Sequence, residues 1–193
     1  MSEGHETNAE VLKKLNVAKE KKETGDQAFK AGELQNALRS YHEALLYLNG
    51  IDKTPLAPLT AQTEPVVDGA AKAKPKTEVD EMLEKIYSNQ SACHLKRGNW
   101  KRAIETADKA LTQNADNYKA LFRKAKALGE LGFFEKAEKI LEDLLQKNPS
   151  DAPAINAELT RLRAIDKVRE KVHNQKFKGF LNRENKSEAV AES

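Results

Sequence analysis

The stretch YSNQSACHLKRGNWKRAIETADKALTQNADNYKALFRKAKALGELGFFEKAEKILEDLLQKNP, from Tyr87 to Pro149, states one pattern twice. Gly98 and Gly132 stand 34 residues apart (132 − 98), and Ala103 and Ala137 keep the same step. Each copy carries two apolar stripes at helical spacing. A period in the thirties with two such stripes predicts a solenoid of helix–turn–helix hairpins, and therefore an all-α fold.

Each copy also has an aromatic residue shortly after its glycine, Trp100 in the first and Phe134 in the second, and Pro149 closes the second copy. These features resemble the tetratricopeptide repeat (TPR). The consensus of that family has small residues at the eighth, twentieth and twenty-seventh positions, glycine at the fifteenth and proline at the thirty-second. The resemblance implies a scaffold of stacked hairpins whose A helices line a concave face.

A further copy lies upstream, in the segment KEKKETGDQAFKAGELQNALRSYHEALLYL. It places the expected residue types at the eighth, fifteenth, twentieth, twenty-fourth and twenty-seventh positions, namely Gly25, Gly32, Ala37, Tyr41 and Ala44. Glycine should end each A helix, because a positive φ is cheap only for glycine. Small residues such as Ala92, Ala103 and Ala110 should allow close helix approach, and large ones such as Tyr41 should fill the remaining volume.

The connection between the first and second repeats is too long for one period. Gly32 and Gly98 are 66 residues apart, which leaves a surplus of 32 residues (66 − 34). Four of the six prolines fall there, and proline disfavours helix both at its own position and at the one before it. With few apolar residues, the insertion at 49–78 is predicted to be a mobile loop, and a plain tether is favoured over a docking motif.

The predicted architecture is a TPR domain over residues 9–181, between a disordered N-terminus at 1–8 and a disordered tail at 182–193. Its three hairpins have helices at 9–30 and 33–48, 79–97 and 100–113, and 117–131 and 134–147. A capping helix starts at 151, and its apolar stripe should cover the flank of the third repeat. That stripe consists of Ile155, Leu159, Leu162, Ile165, Val168 and Val172.

The composition sets limits on the class of protein. The hydrophobic share is 39% and the charged share 33%, a polar composition that suits a thin solenoid. The net charge of +3 does not by itself indicate a protein that binds nucleic acid. The polar N-terminus is unlike a signal peptide, and no apolar stretch reaches the roughly 20 residues of a membrane span. We expect a soluble, cytoplasmic protein, with its lone Cys93 a small buried residue rather than a nucleophile.

Five residues should face the groove from the A helices: Lys22 and Asp26 in the first repeat, Asn89 in the second, Lys119 and Arg123 in the third. The members of each pair are four residues apart, which puts them on one face of their helix. Three cations and an amide that converge on one groove would form a site for an anion, such as the terminal carboxylate of a peptide.

This set resembles the carboxylate clamp of TPR co-chaperones, which hold the C-terminal Glu-Glu-Val-Asp of heat-shock chaperones. The segment KETGD supplies Lys22, YSNQSA supplies Asn89, and KALFR supplies Lys119 and Arg123. The string YSNQSACHLKRG and the ending FKGFLNR are also similar to the TPR part of the large FK506-binding immunophilins and to the tetratricopeptide repeat protein 9 family. The resemblance implies a non-catalytic adaptor or co-chaperone that binds a chaperone tail and needs no cofactor.

One position departs from that pattern, because Asp26 stands where the clamp has asparagine. An ionised carboxylate can only accept hydrogen bonds, so it would face the negative charge of the ligand. Two outcomes stay open. Asp26 pairs with Lys22 and weakens the anion site, or it turns the preference toward a ligand with a donor group at that point.

Other interpretations rest on weaker signals. His42, His94 and His173 lack partners at metal-ligand spacing, so a zinc site is not favoured. The basic stretch KVREKVHNQKFKGFLNR would suit RNA, an anionic membrane or calmodulin, but docking of its apolar side on the third repeat is the favoured interpretation. A scaffold that binds an internal segment of another protein is the main alternative to the clamp. No motif supports an enzyme or a small-molecule substrate.

Overall fold

A computed structural model describes residues 8–49, 51 and 77–191, with side chains described to residue 178. The described residues form seven α-helices: α1 (Asn8–Lys30), α2 (Leu34–Asn49), α3 (Glu78–Lys96), α4 (Trp100–Gln113), α5 (Tyr118–Glu130), α6 (Phe134–Lys147) and α7 (Ala152–Ala191). The predicted N-terminal segment, apart from Asn8, and nearly all of the predicted insertion lie outside the described residues. The all-α hairpin architecture predicted from the repeats is confirmed.

The chain divides into two compact units, residues 1–127 and 128–193. In the first unit, α1 packs on α2 and α3 packs on α4, so each pair forms an antiparallel hairpin. Both α1 and α2 also contact α3. In the second unit, α6 packs on α7. These contacts bring the predicted groove-facing positions of α1 and α3 next to each other.

The turns of the three hairpins share one geometry. Gly32, Gly98 and Gly132 have φ values of 82°, 70° and 87°, which confirms the predicted left-handed position at the end of each A helix. In the first turn the amide of Glu33 donates to the carbonyl of Ala28 at 2.9 Å, and the two later turns repeat this bond at the same length. The pattern is a Schellman motif, which satisfies carbonyls that the helix end leaves free.

Among the described residues of the first unit, Tyr41 is the largest fully buried side chain. Its ring lies on the backbone of α1 at Gly25, where an added Cβ would be only 2.6 Å from Tyr41 Cε1. The predicted role of Tyr41 as a volume filler is therefore confirmed. Ala103 and Ala110 are fully buried, as predicted, while Ala92 is only partly buried.

The second unit has a comparable close approach. Gly129 faces Leu162, and an added Cβ would be 2.2 Å from Leu162 Cδ2. Ile155 and Leu159 are also buried, so the first part of the predicted capping stripe packs as expected. Ion pairs hold the same part of α7, and one of them joins Arg161 to Glu130 at 2.7 Å.

The later part of the capping stripe does not pack, which corrects the prediction. Val168 is 63% exposed and Val172 is 46% exposed. The reason is length: α6 has 14 residues and α7 has 40, or about 21 Å and about 60 Å at 1.5 Å per residue. The apolar periodicity continues past the point where α6 can cover it. Phe177 is also 56% exposed, so the predicted docking of the apolar side of the basic stretch is wrong for Val168, Val172 and Phe177. Of the same stretch, the guanidinium of Arg169 does lie over the ring of Phe134 on α6, 4.9 Å from its centre.

Candidate functional site

Asp26 is the centre of a hydrogen-bonded cluster that joins three helices. Its Oδ2 accepts from Lys22 Nζ at 2.6 Å, one turn earlier on α1. Its Oδ1 accepts from the hydroxyl of Tyr41 on α2 at 2.6 Å and from Asn89 Nδ2 on α3 at 2.8 Å. Three of the five predicted site residues therefore meet directly, and the ion pair with Lys22 is the first of the two arrangements left open by the sequence.

The surroundings keep the Asp26 carboxyl ionised. Burial alone would raise the pKa of Asp26, but the hydrogen bonds from Lys22, Tyr41 and Asn89 outweigh burial and hold the pKa below its ordinary value. Burial and the hydrogen bond to Asp26 raise the pKa of Tyr41 far above its ordinary value. Tyr41 therefore remains a donor, and Asp26 remains a charged acceptor, throughout the physiological pH range.

An open cleft of about 400 Å³ lies between α1 and α3 beside this cluster, and we call it the α1–α3 cleft. It is lined by three lysines, Lys19, Lys22 and Lys85, and by four carboxylates, Glu23, Asp26, Glu78 and Glu81. Each lysine has an acidic partner: Lys19 with Glu78 at 2.6 Å, Lys22 with Asp26, and Lys85 with Glu81 at 3.5 Å. The lysines of the α1–α3 cleft are thus already neutralised.

Arg123 on α5 has a different kind of partner. Its Nη1 donates to the backbone oxygen of Ser88 at 2.7 Å and to Ser88 Oγ at 2.6 Å, and both acceptors are uncharged. Burial lowers the pKa of Arg123, because a guanidinium removed from water without a counter-ion is disfavoured. Ser88 was not singled out in the sequence, although it directly precedes Asn89.

Lys119 lies one turn before Arg123, and its side chain is exposed. Over the part of the chain whose side chains are described, it has no hydrogen bond or ion pair. The structure therefore does not bring Lys119 into contact with the Asp26 cluster. It places Lys119 as an accessible cation on the same face of α5 as Arg123.

A second polar cluster fixes the start of α5 relative to α3. Glu84 Oε1 on α3 accepts from Asn114 Nδ2 and from Asn117 Nδ2, both at 2.8 Å. Asn117 also accepts from the amide of Ala120 at 2.9 Å and so caps the first turn of α5. This link positions Lys119, and nothing in the local sequence pattern indicated it.

Other chemistry has little support in the first unit. Burial raises the pKa of Cys93 to about 11, so the sulfur is a buried thiol rather than a thiolate nucleophile. Among the described residues, no three His, Cys, Asp or Glu side chains are grouped as ligands for a metal ion. Within the same residues, every helix is too short or too polar to span a bilayer.

Comparison with known sequences finds a repeat family over part of the chain. The family model "Tetratricopeptide repeat" matches residues 94–162. Zinc finger CCCH domain-containing protein 7A of Homo sapiens is 44% identical over 57 residues, which are 30% of this chain and 6% of that protein. Protein unc-45 homolog B of Xenopus tropicalis is 28% identical over 154 residues, or 80% of this chain and 13% of that protein. The chain thus spans only a small part of these curated relatives.

Solved structures show the same fold. The C-terminal TPR-containing domain of an FK506-binding protein from Plasmodium falciparum has a TM-score of 0.65 at 23% identity, with 84% of this chain and 95% of that chain covered. The Hsp90 co-chaperone Cns1 from Saccharomyces cerevisiae has a TM-score of 0.66 at 22% identity, with coverage of 95% and 48%. The second TPR domain of human RPAP3, in complex with an HSP70 peptide, has a TM-score of 0.54 at 18% identity, with coverage of 79% and 98%.

Proposed function

We propose that this chain, whose hairpins are tetratricopeptide repeats, is a non-catalytic adaptor that binds the C-terminal end of a partner protein. The proposed site consists of Lys22, Asp26, Asn89, Lys119 and Arg123, and the proposed partner class is a heat-shock chaperone with a Glu-Glu-Val-Asp tail. The observation that carries the proposal is the pair of cations on α5 that lack a carboxylate partner among the described side chains.

Arg123 and Lys119 are suited to hold a terminal carboxylate. Arg123 is partly buried against uncharged oxygens of Ser88, so an arriving anion would supply the counter-charge that it lacks. Lys119, one turn earlier, is exposed and accessible from the same side. Charge-assisted hydrogen bonds to a carboxylate are about twice as strong as neutral ones, and the partial burial of Arg123 strengthens them further.

The comparisons support the kind of partner. The RPAP3 domain with the same fold was solved with an HSP70 peptide of sequence SGPTIEEVD, and Cns1 is described as an Hsp90 co-chaperone. At these identities the likeness concerns the fold. The inference that this chain binds a chaperone tail therefore depends on its side chains. Four of the five clamp positions carry the residue type that the resemblance implies.

The experiment is a titration of a fluorescein-labelled peptide ending in Glu-Glu-Val-Asp, followed by fluorescence anisotropy. Arg123→Ala should weaken binding by at least about tenfold, because it removes a partly buried charge partner of the ligand. The matched control is Lys124→Ala, which removes the same charge from the same helix but from the side that pairs with Asp108 of α4. Equal affinity of the two variants would contradict the clamp assignment.

A second peptide separates the clamp from the alternative of an internal binding segment. Amidation of the C-terminus removes the terminal carboxylate and leaves the rest of the ligand intact. The clamp predicts a loss of at least about tenfold for the amidated peptide. A scaffold that recognises an internal segment predicts no change, and that outcome would replace the proposed function.

A second candidate function rests on α7. Val168, Val172 and Phe177 are exposed there, among Lys167, Lys171 and Lys178. A helix with exposed apolar side chains and lysines suits an anionic surface such as a membrane or RNA. Replacement of the three lysines by serine should abolish co-sedimentation with anionic vesicles, or retention of RNA in a gel shift, and leave peptide binding unchanged.

A further inference from the structure

The Asp26 carboxylate is bound in the way that a protein binds the carboxylate of a ligand. An ammonium group from α1, a phenol from α2 and an amide from α3 converge on its two oxygens, all at 2.6–2.8 Å. Such a convergence of one cation and two neutral donors satisfies most of the acceptor capacity of a carboxylate. The chain has therefore filled part of its own anion site with a residue of α1.

This occupancy changes what the proposed clamp can offer. Lys22 and Asn89 are two of the four donors of the clamp, and both already donate to Asp26. A second carboxylate that approached them would meet the negative charge of Asp26 at close range. Lys119 and Arg123 do not have this problem, because no described carboxylate pairs with either of them.

The rest of the α1–α3 cleft offers no compensation. Lys19 and Lys85 are paired with Glu78 and Glu81. Glu23 lines the same cleft, and its side chain is exposed. With four carboxylates against three paired lysines, the lining of the cleft is net negative, so a hydrogen-bond donor suits the cleft better than a second anion.

We propose that Asp26 determines the specificity of the site: the groove accepts a chain end with one carboxylate, held by the α5 cations, and selects a neutral hydrogen-bond donor at the side chain of the last residue. This inference rests on the proposed function and narrows its partner class. A tail that ends in asparagine binds more tightly than the same tail that ends in aspartate. The asparagine amide donates to Asp26, where the aspartate carboxylate is repelled.

The test compares two peptides, one ending in Glu-Glu-Val-Asp and one ending in Glu-Glu-Val-Asn, by isothermal titration calorimetry. Three proteins are used: wild type, Asp26→Asn and Glu23→Gln. Glu23→Gln is the matched control, since it removes the same charge from the same helix and the same cleft. Circular dichroism and thermal unfolding of each variant report whether the fold is retained.

The wild type should bind the asparagine peptide about tenfold more tightly, because placing like charges together is a strong source of discrimination. In Asp26→Asn this preference should disappear or reverse, and the aspartate peptide should bind at least about tenfold more tightly than it binds wild type. Glu23→Gln should keep the wild-type preference and change both affinities by a similar, smaller factor.

Two results would overturn the inference while leaving the proposed function in place. One is equal affinity of the wild type for both peptides, which needs no variant and so decides the matter even if Asp26→Asn unfolds. The other is an equal gain in Asp26→Asn and Glu23→Gln, which would show a general effect of net charge. Absence of binding to all three proteins would overturn the proposed function and the inference together.

Discussion

Lys22 on α1 and Arg123 on α5 are both partly buried cations of the candidate site, yet they meet different acceptors. Lys22 pairs with the Asp26 carboxylate at 2.6 Å, whereas Arg123 donates to the uncharged oxygens of Ser88. The α1 side is therefore neutralised within the protein, and the α5 side is not. The comparison teaches that the residue type at a clamp position does not determine whether its positive charge is available to a ligand. The neighbouring acceptor within the protein determines that availability.

The largest expected effect on stability comes from disrupting the contact between Tyr41 and the backbone of α1 at Gly25. In Gly25→Val the new side chain would force the Tyr41 ring away from α1, since even a Cβ would lie 2.6 Å from it. We expect a loss of roughly 3 kcal/mol in the free energy of unfolding, measured in urea, from overpacking and the lost bond to Asp26. Gln27→Val, at an exposed position of the same helix, should lose less than about 1 kcal/mol. Similar losses in the two variants would contradict this packing.

A smaller loss of stability is expected when one hydrogen bond is removed, and this loss should be greater on the α1 side than on the α5 side. Tyr41→Phe removes a donor from an ionised carboxylate, and we expect a loss of about 2 kcal/mol in the free energy of unfolding. Its counterpart on the α5 side is Ser88→Ala. There the backbone oxygen of Ser88 still accepts from Arg123, so the loss should stay below about 1 kcal/mol. If Ser88→Ala proved the more destabilising, the contrast between the sides would be wrong.

The smallest effect concerns pH. The pKa of Asp26 is lower in the folded protein than its ordinary value, so the ionised form stabilises the fold above the unfolded pKa of about 3.9. That stabilisation is lost as the pH falls through the lower, folded pKa. The difference in unfolding free energy between wild type and Asp26→Asn should therefore become smaller as the pH falls from about 5 to about 3. Urea titrations at each pH measure this difference. A difference in unfolding free energy that stays constant over this range would contradict the lowered pKa of Asp26 in the folded protein.

Much of the fold was predictable because its signals are local. The predicted ranges 100–113 and 134–147 coincide with α4 and α6, since apolar periodicity runs along each helix and a glycine, Gly98 or Gly132, lies two residues before its first residue. The end of packing along α7 was not predictable in this way. Its stripe continues in sequence beyond Leu162, and only the length of α6 determines where that stripe loses its partner.

The residues of the candidate site could be predicted from the sequence, but most of the hydrogen bonds that join them could not. The spacing of Lys22 and Asp26 allowed their ion pair, because residues four apart share a helical face. Tyr41 and Asn89 lie 15 and 63 residues from Asp26 along the chain, and only the packing of α2 and α3 on α1 brings them to one carboxylate. The same holds for Ser88, which is 35 residues from Arg123.

The stacking of Tyr41 on Gly25 has a consequence for protein engineering. The backbone at Gly25 limits how close the ring lies to α1, and the phenol oxygen is thereby placed 2.6 Å from the side chain at position 26. A library that varies position 26 alone would leave every new residue beside the same hydrogen-bond donor, the hydroxyl of Tyr41. Retargeting this scaffold calls for paired randomisation of positions 26 and 41, with glycine retained at 25.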